Sequence, residues 1–181
     1  MWNVPNLLTL FRIFLIPVFV FCFYSTHEHA RFLAAFVFWL AAITDALDGY
    51  LARKLQQSTA FGAFLDPVAD KAMVAAALVL IAVDMQTLWV TIPAFIMISR
   101  EIIISGLREW MAGLGKSAQV KVSVMGKFKT AAQMLALIGL IWQPVQWIND
   151  LGMFLLFTAT VLTVWSMVVY LQAAWKYLQQ N

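Results

Sequence analysis

The chain has 181 residues, of which 63% are hydrophobic and only 12% are charged, and its formal net charge is +3. Soluble domains carry about 25% charged residues, so this composition excludes an ordinary soluble domain and indicates an integral membrane protein. The single cysteine, Cys22, has no partner for a disulfide, and we expect no nucleic-acid partner.

Six segments are apolar and long enough to cross a bilayer, which takes about 20 mostly apolar residues per helix. No cleavable signal peptide is evident, so the first segment is expected to remain as a membrane helix. Short polar stretches, STHEHAR, DMQ and QWIND, join several of the segments. The sequence predicts an all-α integral membrane protein with one six-helix domain over residues 1–181 and transmembrane helices at 7–24, 32–55, 59–83, 87–107, 128–147 and 151–173.

The basic residues near the predicted helix ends are distributed unevenly between the two sides of the membrane. One side has Arg31 alone, together with Glu28, Asp84 and Asp150. Cytoplasmic loops are enriched in Lys and Arg, so we expect both termini and the more basic side to face the cytoplasm. That side holds Arg53, Lys54, Arg108, Lys116, Lys121, Lys127, Lys129 and Lys176.

Four charged residues within the predicted membrane helices lie at a similar depth. At 1.5 Å of rise per residue, Asp45, Asp70 and Arg100 are each about 20 Å from the outer end of their helix, and Arg12 is about 18 Å from its own. In a hydrocarbon core about 30 Å thick, all four lie roughly 10 Å below the cytoplasmic surface. Charges at this depth are unfavourable and are seldom kept without a function, although interhelical salt bridges are the simpler interpretation of a single pair.

Four aspartates are concentrated in the segment DALDGYLARKLQQSTAFGAFLDPVAD. Asp45 and Asp48 are three residues apart on one helix face, and Asp66 and Asp70 are four apart on a face of the next helix. Because a short turn joins these helices, the two faces can converge. Apart from Arg53 and Lys54, Lys71 is the only basic residue that could balance these aspartates locally. Divalent cations such as Mg²⁺ or Mn²⁺ are the natural partners of clustered carboxylates. Two such ions would balance the four charges.

Small residues lie beside these aspartates and leave room for a flat or phosphorylated ligand, although close helix packing would also account for each of them singly. Carboxylates with divalent metals and nearby basic side chains are the groups that transfer phosphoryl groups. A site within the inner leaflet predicts a lipid substrate. The small residues are Gly49, Ala52 and Gly62.

This pattern, D-x2-D-G-x2-A-R-x8-G-x3-D-x3-D, resembles the signature of the CDP-alcohol phosphotransferase family at every specified position. The segments NVPNLLTLFRI, SREIIISGLREW and KVSVMGKFKT are similar to the bacterial phosphatidylglycerophosphate synthase branch of that family. The resemblance implies transfer of the phosphatidyl group of CDP-diacylglycerol to sn-glycerol 3-phosphate at the bacterial cytoplasmic (inner) membrane, by an enzyme that is commonly a homodimer.

The resemblance also implies roles for individual residues. Asp45, Asp48, Asp66 and Asp70 would bind two divalent metal ions, and Asp70 would in addition be the catalytic base that activates the acceptor hydroxyl. The residues expected to line the CDP-lipid pocket are Gly49, Ala52, Arg53 and Gly62. Asn6, Thr9 and Arg12 follow one another at intervals of three residues, and their spacing suggests that they close the pocket over the nucleotide, unless Asn6 simply caps the first helix.

The acceptor site must supply cations for a small dianion. Arg100 and Arg108 lie eight residues apart on one predicted helix, and Lys127 and Lys129 begin the next. Arg108, Lys127 and Lys129 could instead simply anchor the helices at the basic face of the membrane. Arg100 could instead pair with the adjacent Glu101.

The sequence is also compatible with other functions. The same chemistry could use another acceptor, such as inositol phosphate, serine or phosphatidylglycerol. A cation transporter could use intramembrane aspartates, but it would usually show a repeated half or interrupted helices, and neither is evident. A structural membrane subunit is a third possibility.

Overall fold

The computed structural model describes residues 4–55, 60–113 and 124–178, and these residues form six α-helices and no β-strand. The predicted all-α fold with six helices is therefore confirmed. In chain order the helices are α1 (Val4–Tyr24), α2 (Ala30–Leu55), α3 (Ala60–Met85), α4 (Leu88–Gly113), α5 (Val124–Trp142) and α6 (Gln146–Leu178).

Three of the six helices have described stretches that are long and apolar enough to cross a membrane. These stretches are Asn6–Tyr24 in α1, Leu88–Gly113 in α4 and Gln146–Gln172 in α6, and α5 contributes the shorter apolar stretch Phe128–Trp142. The first half of α3 is interrupted by charged residues. Crossing by α2, α3 and α5, and the side on which the termini lie, stay predictions.

The outer surface of the helix bundle is strongly apolar. Phe21, Phe95 and Phe154 are exposed to 77, 71 and 67%. A soluble protein rarely exposes so much contiguous apolar surface, whereas a lipid-facing surface requires it. Exposed tryptophans also lie near helix ends, where their amphipathic rings fit the membrane–water interface. They are Trp89 at the start of α4, Trp142 at the end of α5, Trp147 at the start of α6, and Trp110 and Trp175 near the opposite ends of α4 and α6.

Helix α1 packs against both α2 and α3, whereas the described parts of α2 and α3 have few contacts with each other. Phe19 of α1 is completely buried and its ring lies 5.9 Å from that of Phe38 in α2. Buried alanines on α2 and α3, among them Ala34 and Ala77, allow this close approach. The buried face of α1 therefore lies between the two helices that carry the aspartates.

The connection between α5 and α6 differs from the prediction. The sequence placed it at QWIND, residues 146–150, but α5 ends at Trp142 and α6 begins at Gln146. Gln143 adopts a positive φ of 47°, and Pro144 follows it. A left-handed residue followed by proline is a common helix ending, because proline cannot continue the helix. The polar residues of QWIND lie within the first turns of α6, where Gln146 donates a hydrogen bond to Asp150 at 3.0 Å.

Candidate active site

Asp45, the first predicted metal ligand, lies on α2 opposite Arg12 of α1. The distance from Arg12 Nη1 to Asp45 Oδ1 is 2.7 Å. The arginine is 1% exposed, whereas the aspartate is 44% exposed. The buried cation is thus balanced by a carboxylate that is still open on one side, and the predicted common depth of these two residues is consistent with their contact.

Asp66 lies on α3 and is also contacted by α1. The hydroxyl of Thr9 donates a hydrogen bond of 2.5 Å to Asp66 Oδ1. Thr9 and Arg12 are three residues apart, so one face of α1 reaches aspartates on both neighbouring helices. A carboxylate has about four acceptor positions, so this hydrogen bond leaves Asp66 able to bind another ligand.

Asp70 lies one helical turn after Asp66 on the same face of α3. It makes no hydrogen bond or ion pair with the described part of the chain. Its charge interacts repulsively with those of Asp45 and Glu101 and attractively with those of Arg12 and Lys71. The carboxylate lines the same small cavity as Arg12. Asp70 is therefore close to Asp45, as the predicted convergence of the two helix faces requires.

The chemistry of these three carboxylates fits a divalent cation. Hard cations prefer oxygen ligands, and Asp45, Asp66 and Asp70 each retain acceptor positions that the described residues do not occupy. No group of three or more His, Cys, Asp or Glu side chains close enough to hold a metal is present among the described residues. The fourth predicted ligand, Asp48, lies outside them, so the complete ligand set stays a prediction.

A second cluster joins α4, α5 and α6 at the predicted acceptor site. Arg100 Nη1 lies 2.6 Å from Glu101 Oε1, and Lys129 Nζ lies 3.2 Å from the same oxygen. Arg100 Nη2 reaches Ser166 Oγ at 3.5 Å. Lys129 is buried, and its charge also interacts attractively with that of Asp70. Two of the four predicted acceptor cations are thus adjacent to each other, and one of them, Lys129, is close enough to Asp70 for their charges to interact.

Helices α3 and α4 are linked beside this cluster. Lys71 donates a hydrogen bond to the hydroxyl of Ser105, and Ser105 donates one of 2.6 Å to the backbone carbonyl of Glu101. Among the described residues, Lys71 makes no ion pair with an aspartate. A mostly apolar cavity of about 450 Å³ opens between the two helices, with Lys71, Glu101, Ser105 and Gln133 among its polar lining residues.

The remaining predicted acceptor residues are less closely associated with the cluster. Arg108 is exposed and its guanidinium lies 5.7 Å from the ring centroid of Tyr170 on α6, within the range of a cation–π contact. The Lys127 side chain lies outside the described residues. Arg108 and Arg100 therefore both approach α6, two helical turns apart.

The predicted CDP-lipid pocket is described only in part. Gly62, Asn6 and Thr9 are buried. The side-chain positions of Gly49, Ala52 and Arg53 lie outside the described residues. Thr9 lies beside the carboxylates because its hydroxyl contacts Asp66. The spacing of residues in the sequence did not predict this contact.

Three residues at the site had no predicted role in it. The sequence predicted Glu101 only as a possible partner of Arg100, and it predicted no role for Ser105 or Ser166. Ser105 follows Glu101 by four residues and so shares its helix face, a spacing that could have identified it. Ser166 contacts Arg100 from a helix that is distant in sequence, and no local pattern indicates such a contact.

Comparison with known proteins identifies a matching family. The sequence profile of the CDP-alcohol phosphatidyltransferase family matches residues 2–165. Members of this family generally depend on divalent metal ions.

Two relatives match over nearly their full length. The chain is 56% identical over 180 residues to a protein of Haemophilus influenzae, covering 99% of this chain and 97% of the relative. It is 57% identical over 173 residues to a protein of Escherichia coli strain K12, covering 96% and 95%. Both relatives are named CDP-diacylglycerol–glycerol-3-phosphate 3-phosphatidyltransferase.

Proposed function

This chain belongs to the CDP-alcohol phosphatidyltransferase family, and on that premise we propose that it transfers the phosphatidyl group of CDP-diacylglycerol to sn-glycerol 3-phosphate. The products are phosphatidylglycerophosphate and CMP. The observation that carries the proposal is the pairing of Arg100 and Lys129 on Glu101 near Asp70, whose charge also interacts with that of Asp45, in a chain so similar to relatives named for this reaction.

Asp45, Asp48, Asp66 and Asp70 are the proposed ligands of two divalent cations, Mg²⁺ or Mn²⁺. When bound, these ions would neutralise the phosphate oxygens of the CDP-lipid and make its phosphorus more electrophilic. The contacts from α1 support this assignment, because Arg12 and Thr9 each hold one aspartate of the set in a defined orientation.

Asp70 is the proposed general base. The primary hydroxyl of glycerol 3-phosphate gives its proton to the carboxylate while its oxygen attacks the phosphorus attached to the diacylglycerol. A new phosphorus–oxygen bond forms, the bond to the bridging oxygen of the diphosphate breaks, and CMP leaves with that bonding electron pair. Support for this role comes from Asp70 having no hydrogen-bond or ion-pair partner within the described chain, so its carboxylate is available to a proton donor.

The proposed acceptor site uses Arg100, Arg108, Lys127 and Lys129. Arg100 Nη1 and Lys129 Nζ both contact one oxygen of Glu101, so they are less than about 6 Å apart. One phosphate group can bridge two cationic groups at this separation, and an arginine adds a planar pair of donors suited to phosphate. Arg108, two turns further along α4, would contact the dianion at its cytoplasmic edge.

We further propose that the CDP-lipid lies along Gly49, Ala52, Arg53 and Gly62, closed by Asn6 and Thr9. The protein is proposed to be a homodimer in the bacterial cytoplasmic membrane. The active site and both termini would face the cytoplasm, as the distribution of Lys and Arg indicates.

The decisive experiment measures CMP release from CDP-diacylglycerol in detergent micelles by the purified protein, with and without Mg²⁺. Radiolabelled glycerol 3-phosphate, inositol phosphate, serine and phosphatidylglycerol are supplied one at a time. We expect metal-dependent CMP release with glycerol 3-phosphate and incorporation of its label into lipid. Preferential use of another acceptor would overturn the substrate assignment. Absence of CMP release with every acceptor would overturn the enzymatic proposal and favour a transport function.

A further inference from the structure

One carboxylate oxygen lies at the centre of the cationic cluster. Glu101 Oε1 is contacted by Arg100 from the same helix and by Lys129 from α5, at 2.6 and 3.2 Å. Arg100 extends the cluster to Ser166 on α6. Glu101 is therefore the shared contact through which two cations on different helices are held together.

The two cations would not stay together without this carboxylate. Their charges repel each other, and Lys129 interacts unfavourably with Arg100 in the described structure. A lysine ammonium is a mobile point charge on a flexible stem, so it loses its position readily when its partner is removed. The charge of Glu101 offsets this repulsion and fixes the direction from which both groups approach.

The position of Glu101 is itself fixed from α3. Ser105 donates to the Glu101 backbone carbonyl and accepts a hydrogen bond from Lys71, the residue that follows Asp70. The turn of α4 that carries Glu101 is thus tied to the turn of α3 that carries the proposed base. This link sets the cationic cluster at a defined distance from the aspartates.

We propose that Glu101 is a positioning residue for the acceptor, holding Arg100 and Lys129 at the separation that one phosphate group requires before that phosphate arrives. The proposal rests on the function proposed above. Glu101 acts through the two cations and does not itself contact the reacting atoms. Glu101 also lines the α3–α4 cavity, beside the two cations that it contacts.

Positioning and net charge predict opposite effects on acceptor binding. Removing Glu101 makes the site more positive, and charge alone would then strengthen attraction of a dianion and lower its KM. If positioning dominates, loss of the carboxylate separates the cations and the KM for glycerol 3-phosphate rises. The direction of the change therefore distinguishes the two effects.

The test compares Glu101→Ala, Glu101→Gln and the control Glu109→Gln in the full-length protein. Glu109 is exposed on the same helix and makes no ion pair within the described chain, so its substitution changes the net charge without disturbing the cluster. We expect the KM for glycerol 3-phosphate to rise about tenfold for Glu101→Ala, as for loss of a charged contact. It should rise less for Glu101→Gln, which keeps an oxygen acceptor, while the KM for CDP-diacylglycerol stays unchanged.

A double-mutant cycle with Lys129→Met shows whether Glu101 acts through the lysine. Interacting residues give non-additive effects, so Glu101→Ala should change the KM for glycerol 3-phosphate much less when Lys129 is already replaced. Calorimetric titration of the metal-loaded proteins with glycerol 3-phosphate gives a second readout that does not depend on turnover.

Each outcome supports or contradicts the proposal. A lower or unchanged KM for glycerol 3-phosphate, equal losses for both substrates, or additive effects in the cycle would overturn the role of Glu101 and leave the proposed function intact. If the unmodified protein does not use glycerol 3-phosphate at all, the proposed function fails, and the role of Glu101 fails with it.

Discussion

Replacing Arg12 by methionine tests how the aspartates are held. Arg12 is 1% exposed and its guanidinium lies 2.7 Å from Asp45. Methionine fills a similar apolar volume but carries no charge. The substitution therefore leaves Asp45 next to Asp70 without its balancing cation, and the carboxylates repel each other.

The expected loss of stability follows from the burial of the pair. Two charges about 4 Å apart interact by about 4 kcal/mol at an effective dielectric constant near 20. Removing one partner of a buried pair costs about 3–5 kcal/mol. Because Asp45 is 44% exposed and water can partly solvate it, we expect the lower end, about 3 kcal/mol. At roughly 2–4 °C per kcal/mol for a chain of this size, Tm falls by about 6–12 °C.

The assay is thermal unfolding of the detergent-solubilised protein, followed by tryptophan fluorescence. Arg31→Met is the matched control, since Arg31 pairs with Asp84 but both side chains are substantially exposed. Exposed ion pairs contribute about 1 kcal/mol or less, so the control should lower Tm by only a few degrees. The double variant Arg12→Met/Asp45→Asn removes the unbalanced carboxylate and should recover much of the lost stability.

Addition of Mg²⁺ should raise the Tm of Arg12→Met more than that of the unmodified protein, because the ion would replace the missing positive charge. Equal destabilisation by Arg12→Met and Arg31→Met would show that the buried ion pair does not hold the site together. Failure of the double variant to recover stability would show that lost packing, and not charge, is the cause.

Three further substitutions probe the base, the acceptor site and the helix packing. Asp70→Asn should abolish turnover without lowering Tm, because it removes a carboxylate repelled by its acidic neighbours; residual activity above a few per cent would contradict its role as base. Arg108→Ala should raise the KM for glycerol 3-phosphate more than that for CDP-diacylglycerol, and unchanged acceptor kinetics would exclude it from the phosphate site. Gly152→Ala should lower Tm more than Gly139→Ala. A Cβ at position 152 would lie 3.0 Å from the buried Leu140 side chain, whereas a Cβ at position 139 would have no neighbour closer than 3.5 Å. Equal Tm values for the two variants would contradict this packing argument.

Apolar segment length predicted the number and order of helices well, but not every helix end. At the α5–α6 turn, the letters of QWIND suggested a loop because three of the five residues are polar. Gln146 and Asp150 are four residues apart and can pair along a helix, whereas Pro144 ends the preceding helix. At the α5–α6 turn, the position of proline therefore predicts the helix end better than the polarity of the residues does.

The rise per residue along a helix predicted one depth for Arg12, Asp45 and Asp70. In the structure Arg12 pairs with Asp45, and the charge of Asp70 interacts with both. Side-chain partners across helices could not be predicted in the same way. The position of Thr9 in the sequence predicts its face on α1 but not which helix packs against that face, so its contact with Asp66 is seen only in the structure. Whether the chain forms one domain with Asp48 completing the ligand set stays a prediction.

The contacts of α1 have a consequence for any alteration near the amino terminus. The signature aspartates are encoded between positions 45 and 70, yet two of them are oriented by side chains encoded more than thirty residues earlier. A tag, truncation or bound protein that displaced the first helix would release both carboxylates together, silencing the enzyme while every signature residue remained in place.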